Sequence, residues 1–227
     1  MTERGKYIVG EGGDGTGKST QILLMDNFIR SLGGDTLRVF NNETGRTEPI
    51  QEPGGTKRAN ELRRMIKDVS LERTPWQTFE WLTEARVSLN EELIQPSLDK
   101  GMFVLSGRNW FSSMVYQGMA EGIPLDEIED YTRQKLGADY MTPDLSVIFA
   151  ITNEENRQAR LNNRVGTDMK KDYFESKPAD FHVRTNLGYL ALAQSRNVPV
   201  IDAGRSKVAT FGDFLKHATP LIEKIAA

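Results

Sequence analysis

The chain has 227 residues, 38% of them hydrophobic and 27% charged, with a net charge of -3; this suits one full-sized core and argues against a disordered or fibrous chain. A slightly acidic balance argues against broad electrostatic binding to nucleic acid, which needs a concentrated basic surface. The absence of cysteine excludes disulfides, thiolate catalysis and cysteine-based zinc sites. The two histidines, His182 and His217, stand far apart in sequence, which argues against a histidine metal site. The opening "MTERGKYIVG" lacks a secretory apolar core, and no stretch approaches the roughly 20 apolar residues of a membrane span. These features predict a cytoplasmic, single-domain chain over 1–227 without nucleic-acid or membrane partners.

The first expected strand is Tyr7–Val9, and the next residues carry chemistry. Gly12-Gly13-Asp14-Gly15-Thr16-Gly17-Lys18-Ser19, followed by Thr20, fits G-x-x-x-x-G-K-[ST] between a strand and a helix. Glycines let backbone N–H groups turn toward a phosphate, and the helix adds its positive end. Lys18 can reach the β- and γ-phosphates, and the Ser19 hydroxyl is a magnesium ligand. The alternative is a glycine-rich turn without a ligand, which the strand-before, helix-after context disfavours. ATP or GTP binding is the expectation.

Leu37–Phe40 reads as a second strand, and the polar, turn-rich "NNETGRTE" (41–48) as a surface loop after it. Thr74-Pro75-Trp76-Gln77 marks a capped helix start. In that helix Phe79, Leu82, Arg86, Leu89 and Leu93 recur at spacings of 3 and 4, placing Arg86 on the apolar stripe. A guanidinium there needs a partner. Either it forms a structural salt bridge, with Glu52 or another loop carboxylate, or it serves a polar ligand entering beside the helix. Phe103–Leu105 begins a third strand, which stops at Gly107 and Arg108.

Val147–Ile151 reads as a fourth strand, and Thr152-Asn153-Glu154-Glu155 as a second capping box. Arg157, Arg160 and Arg164 share a face of the helix that follows. They form either a solvated basic face or a set of arginines that swing onto a transferring phosphoryl group. The polar "VGTDMKKDYFESK" (165–177) shows no clear core pattern, and Val198–Ile201 completes the strands. Short buried-type strands alternating with helices predict a parallel α/β sheet.

Together these motifs resemble the thymidylate kinase group of nucleoside monophosphate kinases. The resemblance runs through "EGGDGTGKSTQ" (11–21), "EPGGTKRANELR" (52–63), "LTEARVSLNEELIQPSLDKG" (82–101), "LSGRNWFSSMVYQG" (105–118), "TPDLSVIFAIT" (142–152) and "VPVIDA" (198–203). It implies a P-loop kinase fold: a five-stranded parallel sheet, helices on both faces, and a lid at approximately 153–177. The implied reaction is ATP-dependent, magnesium-assisted phosphorylation of dTMP to dTDP, toward dTTP synthesis, by a homodimer. Asp14 would lie near the deoxyribose 3′-hydroxyl and Arg86 at the thymine edge. Arg108 would hold the dTMP phosphate, Tyr116 would pack on the sugar and disfavour a 2′-hydroxyl, and Glu52, Ser112 and Gln117 would complete the pocket. With Gly15 in the loop position that some members give to the catalytic arginine, that role falls to Arg160 or Arg164 in the lid.

The chain departs from that pattern at three places. The strand usually ends Asp-Arg-aromatic, whereas here it reads Gly107-Arg108-Asn109. Leu82 stands where an aromatic usually stacks on thymine, with Trp81 and Phe79 nearby. Gln51 stands where an arginine often precedes Glu-Pro-Gly-Gly. The resemblance therefore leaves room for dUMP or a 5-modified deoxyuridylate as substrate, or for a weakened or inactive nucleotide-binding homologue. For magnesium, either Ser19, phosphate oxygens and waters suffice, aided by Asp14 or Glu52, or the site is impaired.

Overall fold

The structure is a computed structural model, and it describes residues 3–151 and 172–225. Five parallel strands form one sheet in the spatial order β4-β5-β1-β6-β7. They are β1 (Tyr7–Glu11), β4 (Ile50–Gln51), β5 (Val104–Gly107), β6 (Leu145–Ala150) and β7 (Val200–Asp202). Alternate residues of a strand point to opposite faces, and both faces are covered. Tyr7 and Val9 of β1 and Ile148 of β6 enter one core, packed by α2 (Lys57–Lys67), α3 (Pro75–Leu89), α6 (Leu125–Met141) and α7 (Ala179–Arg196). Ile8, Val147 and Phe149 enter the other, packed by α1 (Lys18–Ser31) and α8 (Lys207–Ile222). This is the expected α/β architecture. Among the described residues no helix is long and apolar enough to cross a membrane.

The second strand is not where the apolar run Leu37–Phe40 places it. Thr36 bridges to Phe103 and the Leu37 N–H donates to the Phe103 carbonyl at 2.8 Å, after which the chain leaves the sheet. Residues 39–48, expected to be a strand end and a loop, form a two-stranded antiparallel hairpin, β2 (Val39–Asn41) with β3 (Arg46–Glu48). Its turn is closed locally, because the Glu43 N–H donates to Asn41 Oδ1 at 2.8 Å and Gly45 takes a φ of 66°. Glu43 at its tip pairs with Arg63 and Lys67 of α2 at 2.9 and 2.8 Å. Burial alone would raise the Glu43 carboxyl, but these two cations outweigh it and hold its pKa at about 2. Beyond the hairpin the edge strand resumes, with Ile50 beside Ser106 and Gln51 beside Gly107.

The capping box at Thr74 forms as expected: Thr74 Oγ1 accepts from the Gln77 N–H, and Gln77 reaches back to the Thr74 N–H. From there α3 continues through a π-helical turn (Asn90–Ile94) into α4 (Gln95–Asp99). Phe79, Leu82, Arg86 and Leu89 all face inward. After β5, α5 (Trp110–Ser113) runs on as a π-helical segment, Met114–Ala120. The capping box expected at Thr152, and the helix carrying Arg157, Arg160 and Arg164, lie outside the described residues.

Arg86 makes the salt bridge that its inward position required. Its Nε donates to Glu52 Oε2 at 3.1 Å, Nη1 to Ser113 Oγ and Nη2 to the Asn109 carbonyl, both at 2.9 Å. Glu52 follows β4 and precedes a cis peptide bond to Pro53. Its carboxylate also accepts from the hydroxyls of Tyr7 (3.2 Å) and Tyr140 (2.8 Å). Burial pushes the Glu52 carboxyl up, and Arg86 offsets that only in part. Losing one partner of a buried pair leaves the other uncompensated, at a cost of about 3–5 kcal/mol. Arg86→Ala should lose about that much unfolding free energy in a urea titration, and adding Glu52→Gln should regain part of it. An unchanged midpoint for Arg86→Ala would show that the pair contributes nothing to stability.

Candidate nucleotide-binding cleft

The phosphate loop joins β1 to α1. Gly12 takes a φ of 135°, and a Cβ there would come within 2.2 Å of the Phe149 carbonyl oxygen, so only glycine lets the loop cross β6. Gly17, at a φ of 83°, starts α1 with no side-chain cap, and no acidic residue occupies the first turn. The first N–H groups of α1 and its dipole are thus directed at the loop's concavity. Thr16 Oγ1 and Lys18 Nζ each donate to the Gly13 carbonyl at 2.9 Å, which fixes the curvature of the loop.

The strand end at Arg108 is the second component. Arg108 takes a φ of 76°, a left-handed conformation that costs a non-glycine residue about 1–2 kcal/mol. Hydrogen bonds hold it there. Its N–H donates to the Gly10 carbonyl at 2.9 Å, and Ser106 Oγ donates to its carbonyl at 2.9 Å. Nη1 donates to Tyr189 Oη at 2.7 Å and Ser112 Oγ at 3.1 Å, while Nη2 donates to Asp14 Oδ1 at 2.6 Å. Burial would raise the Asp14 carboxyl, but the charges of Arg108 and Lys18 outweigh it and hold the pKa at about 2. Tyr116 lies beside this pair, its hydroxyl 3.2 Å from Arg108 Nη2 and its ring 5.1 Å from the guanidinium.

One cleft gathers these groups. Asp14, Gly15, Gly17, Lys18 and Ser19 of the loop line it together with Glu52, Leu82, Arg86, Arg108, Ser112, Tyr116 and Gln117. Gly12, Gly13 and Thr16 belong to the loop and Thr20 to the first turn of α1, and none of the four lines the cleft. Like Asp14, Arg86 and Arg108, the expected pocket groups Glu52 and Ser112 are engaged by protein partners. Glu52 is held by Arg86, Tyr7 and Tyr140, and the Ser112 hydroxyl bridges Arg108 to Glu11 Oε2 at 2.7 Å. Gln117 is different: it is wholly buried, and its Oε1 has no hydrogen-bond partner. Arg160 and Arg164 lie outside the described residues.

Several residues in or beside the cleft are given no role by the sequence reading. Glu11, at the end of β1, accepts from the N–H groups of Asn109 (2.7 Å) and Ser112 (3.2 Å) and from the Tyr189 hydroxyl (3.0 Å). Glu11 therefore ends β1 in a carboxylate, as Asp202 ends β7, and the strand position preceding the glycines could have marked it. Phe174 lines the cleft with Leu82 and Ile66 and packs edge-on against Tyr116 at 5.3 Å. It comes from the stretch read as lacking a core pattern. There the Tyr173 N–H donates to the Lys67 carbonyl at 3.1 Å, and Arg73 stacks over the Tyr173 ring at 3.8 Å. Gln51 also lines the cleft and accepts a hydrogen bond from Ser19 Oγ at 3.0 Å.

The family model for thymidylate kinase matches residues 11–211 of this chain. A protein named thymidylate kinase from Prochlorococcus marinus (strain NATL2A) is 32% identical over 222 residues, spanning 97% of this chain and 99% of its own. One from Pelotomaculum thermopropionicum is 30% identical, spanning 97% of this chain and 95% of its own, and one from Chromobacterium violaceum is 30% identical, spanning 97% of each. With the phosphate loop and Arg108 opening onto one cleft in a parallel α/β sheet, the chain belongs to the thymidylate kinase family.

Proposed function

We propose that this chain, acting as one domain, transfers the γ-phosphoryl group of ATP to dTMP, giving dTDP and ADP for dTTP synthesis. The observation that carries the proposal is the shared cleft: Lys18 and Ser19, suited to a triphosphate, face Arg108, Tyr116 and Gln117, suited to a monophosphate. Phosphoryl transfer needs little covalent chemistry from the protein and depends on positioning and charge. The phosphate loop and Lys18 hold the donor phosphates. Arg108, fixed by Ser112 and Tyr189, holds the acceptor phosphate in line, and Asp14 faces the sugar. Leu82, Ile66 and Phe174 offer an apolar wall for the base and its methyl group. Gln117 Oε1, buried and unpartnered, suits the imide N–H of thymine. Arg86, held by Glu52 beside the cleft, serves the base edge as a rigid group.

Ser19 is the loop residue that would hold magnesium, which would supply neutralisation of charge on the nucleotide phosphates. Arg160 and Arg164 are assigned to the transferring phosphoryl group through the family resemblance. The face formed by Val183, Leu187 and Leu190 on α7, all exposed at helical spacing, is the surface we assign to a homodimer contact.

Lys18→Ala should lower turnover in a coupled assay by about 10²–10³-fold or more, with the melting curve preserved. In the same assay dTMP should be preferred over dUMP and 5-modified deoxyuridylates. Undiminished turnover by the variant, or a different preferred monophosphate, would overturn the assignment.

Arg160→Ala or Arg164→Ala should lower kcat more than it raises KM, as for a group that meets its target mainly in the transition state. Negligible effects of both changes would return them to a solvated basic face.

The pH dependence gives a separate check. A carboxyl whose folded pKa lies below its unfolded value contributes above the unfolded value, about 3.9. Asp14 therefore loses its contribution only as pH falls toward about 2. The acid limb of dTMP binding should then follow the second ionisation of the ligand's phosphate, near about 6. Wild type and Asp14→Asn should share that midpoint in calorimetric titrations. A midpoint that moves with the variant would place the titration of Asp14 inside the working range.

A further inference from the structure

The carboxylates around the phosphate loop are engaged elsewhere. Asp14 is paired with Arg108 at 2.6 Å, Glu52 with Arg86 at 3.1 Å, and Glu11 accepts from Asn109, Ser112 and Tyr189. Among the described residues no group of three or more histidine, aspartate or glutamate side chains could hold a metal ion. Asp14 and Glu52, which the sequence left open as aids to Ser19, are each committed to an arginine.

The group that does face Ser19 is an amide. Ser19 Oγ donates to Gln51 Oε1 at 3.0 Å, and both residues line the cleft. Pairing of β4 with β5 sets Gln51 directly beside Gly107, and the Glu52 N–H donates to the Gly107 carbonyl at 3.1 Å. The Gln51 side chain lies over Gly107 so closely that a Cβ on Gly107 would fall 2.4 Å from Oε1. Gly107 does not have a positive φ, so its backbone conformation does not call for glycine. A side chain there would instead have to displace the Gln51 amide from its present place.

The donor set fits a hard cation. Magnesium takes oxygen ligands, keeps several waters, and is held by few protein groups together with substrate phosphates. A hydroxyl and an amide carbonyl are two neutral oxygens of that kind, set together at the mouth of a phosphate loop. We propose that Gln51 Oε1 joins Ser19 Oγ as this chain's share of the divalent-cation site, the amide oxygen serving where β5 ends without a carboxylate. The proposal rests on the reading of the chain as an ATP-dependent kinase. In that site the serine proton turns away from the amide and both oxygens present lone pairs to the cation or its waters. Because neither oxygen carries charge, the cation is held mainly by the nucleotide phosphates and binds poorly without them.

The test is calorimetric titration of ATP into the full chain with magnesium and with EDTA, the ratio of the two Kd values being the metal coupling. Gln51→Ala should shrink that coupling by about ten- to a hundred-fold, the cost typical of losing a group that supports a bound metal. Its affinity for ATP in EDTA should stay within about twofold, since an amide without a cation makes no charged contact to lose. Gln51→Glu should enlarge the coupling, and Gly107→Asp in the Gln51→Ala background should restore it. Melting curves confirm that each variant is folded. Wild-type coupling in a folded Gln51→Ala that binds ATP would overturn the proposal. If the unaltered chain bound no ATP in either condition, the kinase reading would fall and this one with it.

Discussion

Charge held out of water is the constraint around which the cleft is organised. Glu11, Glu52 and Arg86 are almost wholly inaccessible, and an unpaired charge in such places costs several kcal/mol. The structure answers with short-range donors more than with opposite charge alone. Tyr7 and Tyr140 donate to Glu52, while Tyr189 and Ser112 donate to Glu11. Burial pushes all three of these tyrosines well above their usual range, so they remain O–H donors at neutral pH. The two buried carboxylates in turn fix two arginines, Arg86 directly and Arg108 through Ser112 and Tyr189. Groups already fixed in this way need little reorganisation when a phosphate or base arrives, which is where electrostatic catalysis gains most.

That arrangement was only partly legible in the sequence. The phosphate loop could be read because it is local: glycines, lysine and serine act within one turn of backbone, between a strand and a helix. Arg86 could also be placed, since a spacing of 3 and 4 fixes a helical face whatever the rest of the chain does. Even Glu52 could be named as its partner. The tyrosines could not, because Tyr7, Tyr140 and Tyr189 reach their carboxylates from three distant elements, and an aromatic in a strand or helix reads equally well as plain core.

The hairpin at 39–48 escaped for a different reason. Val39 and Phe40 have the composition of a sheet strand, yet Phe40 is well exposed, and the turn at Asn41–Gly45 brings β3 back against β2 instead of extending the sheet. The hairpin is then held by Glu43 against Arg63 and Lys67, a contact between charged side chains that leaves no periodic trace. Phe174 was hidden similarly. Its neighbours are polar, and it meets Tyr116 only because Tyr173 hydrogen-bonds to the end of α2 and stacks under Arg73.

The pair Gln51 and Gly107 shows why reading positions one at a time runs out. Each is a departure from the pattern the chain resembles, an arginine replaced by an amide and an aspartate replaced by hydrogen. Taken alone, the loss of the aspartate suggests an impaired metal site, and the loss of the arginine suggests a weakened cleft. Parallel pairing makes them neighbours on one face, so their effects cannot be additive. A Cβ at 107 would oblige the Gln51 amide to move, whereas glycine leaves room for its oxygen to meet Ser19. The two changes also remove one negative and one positive charge together, leaving the balance of the cleft as it was. Glycine at this strand end leaves the space in which the amide oxygen of its neighbour across the sheet meets Ser19, a relation that neither position shows when read along the chain.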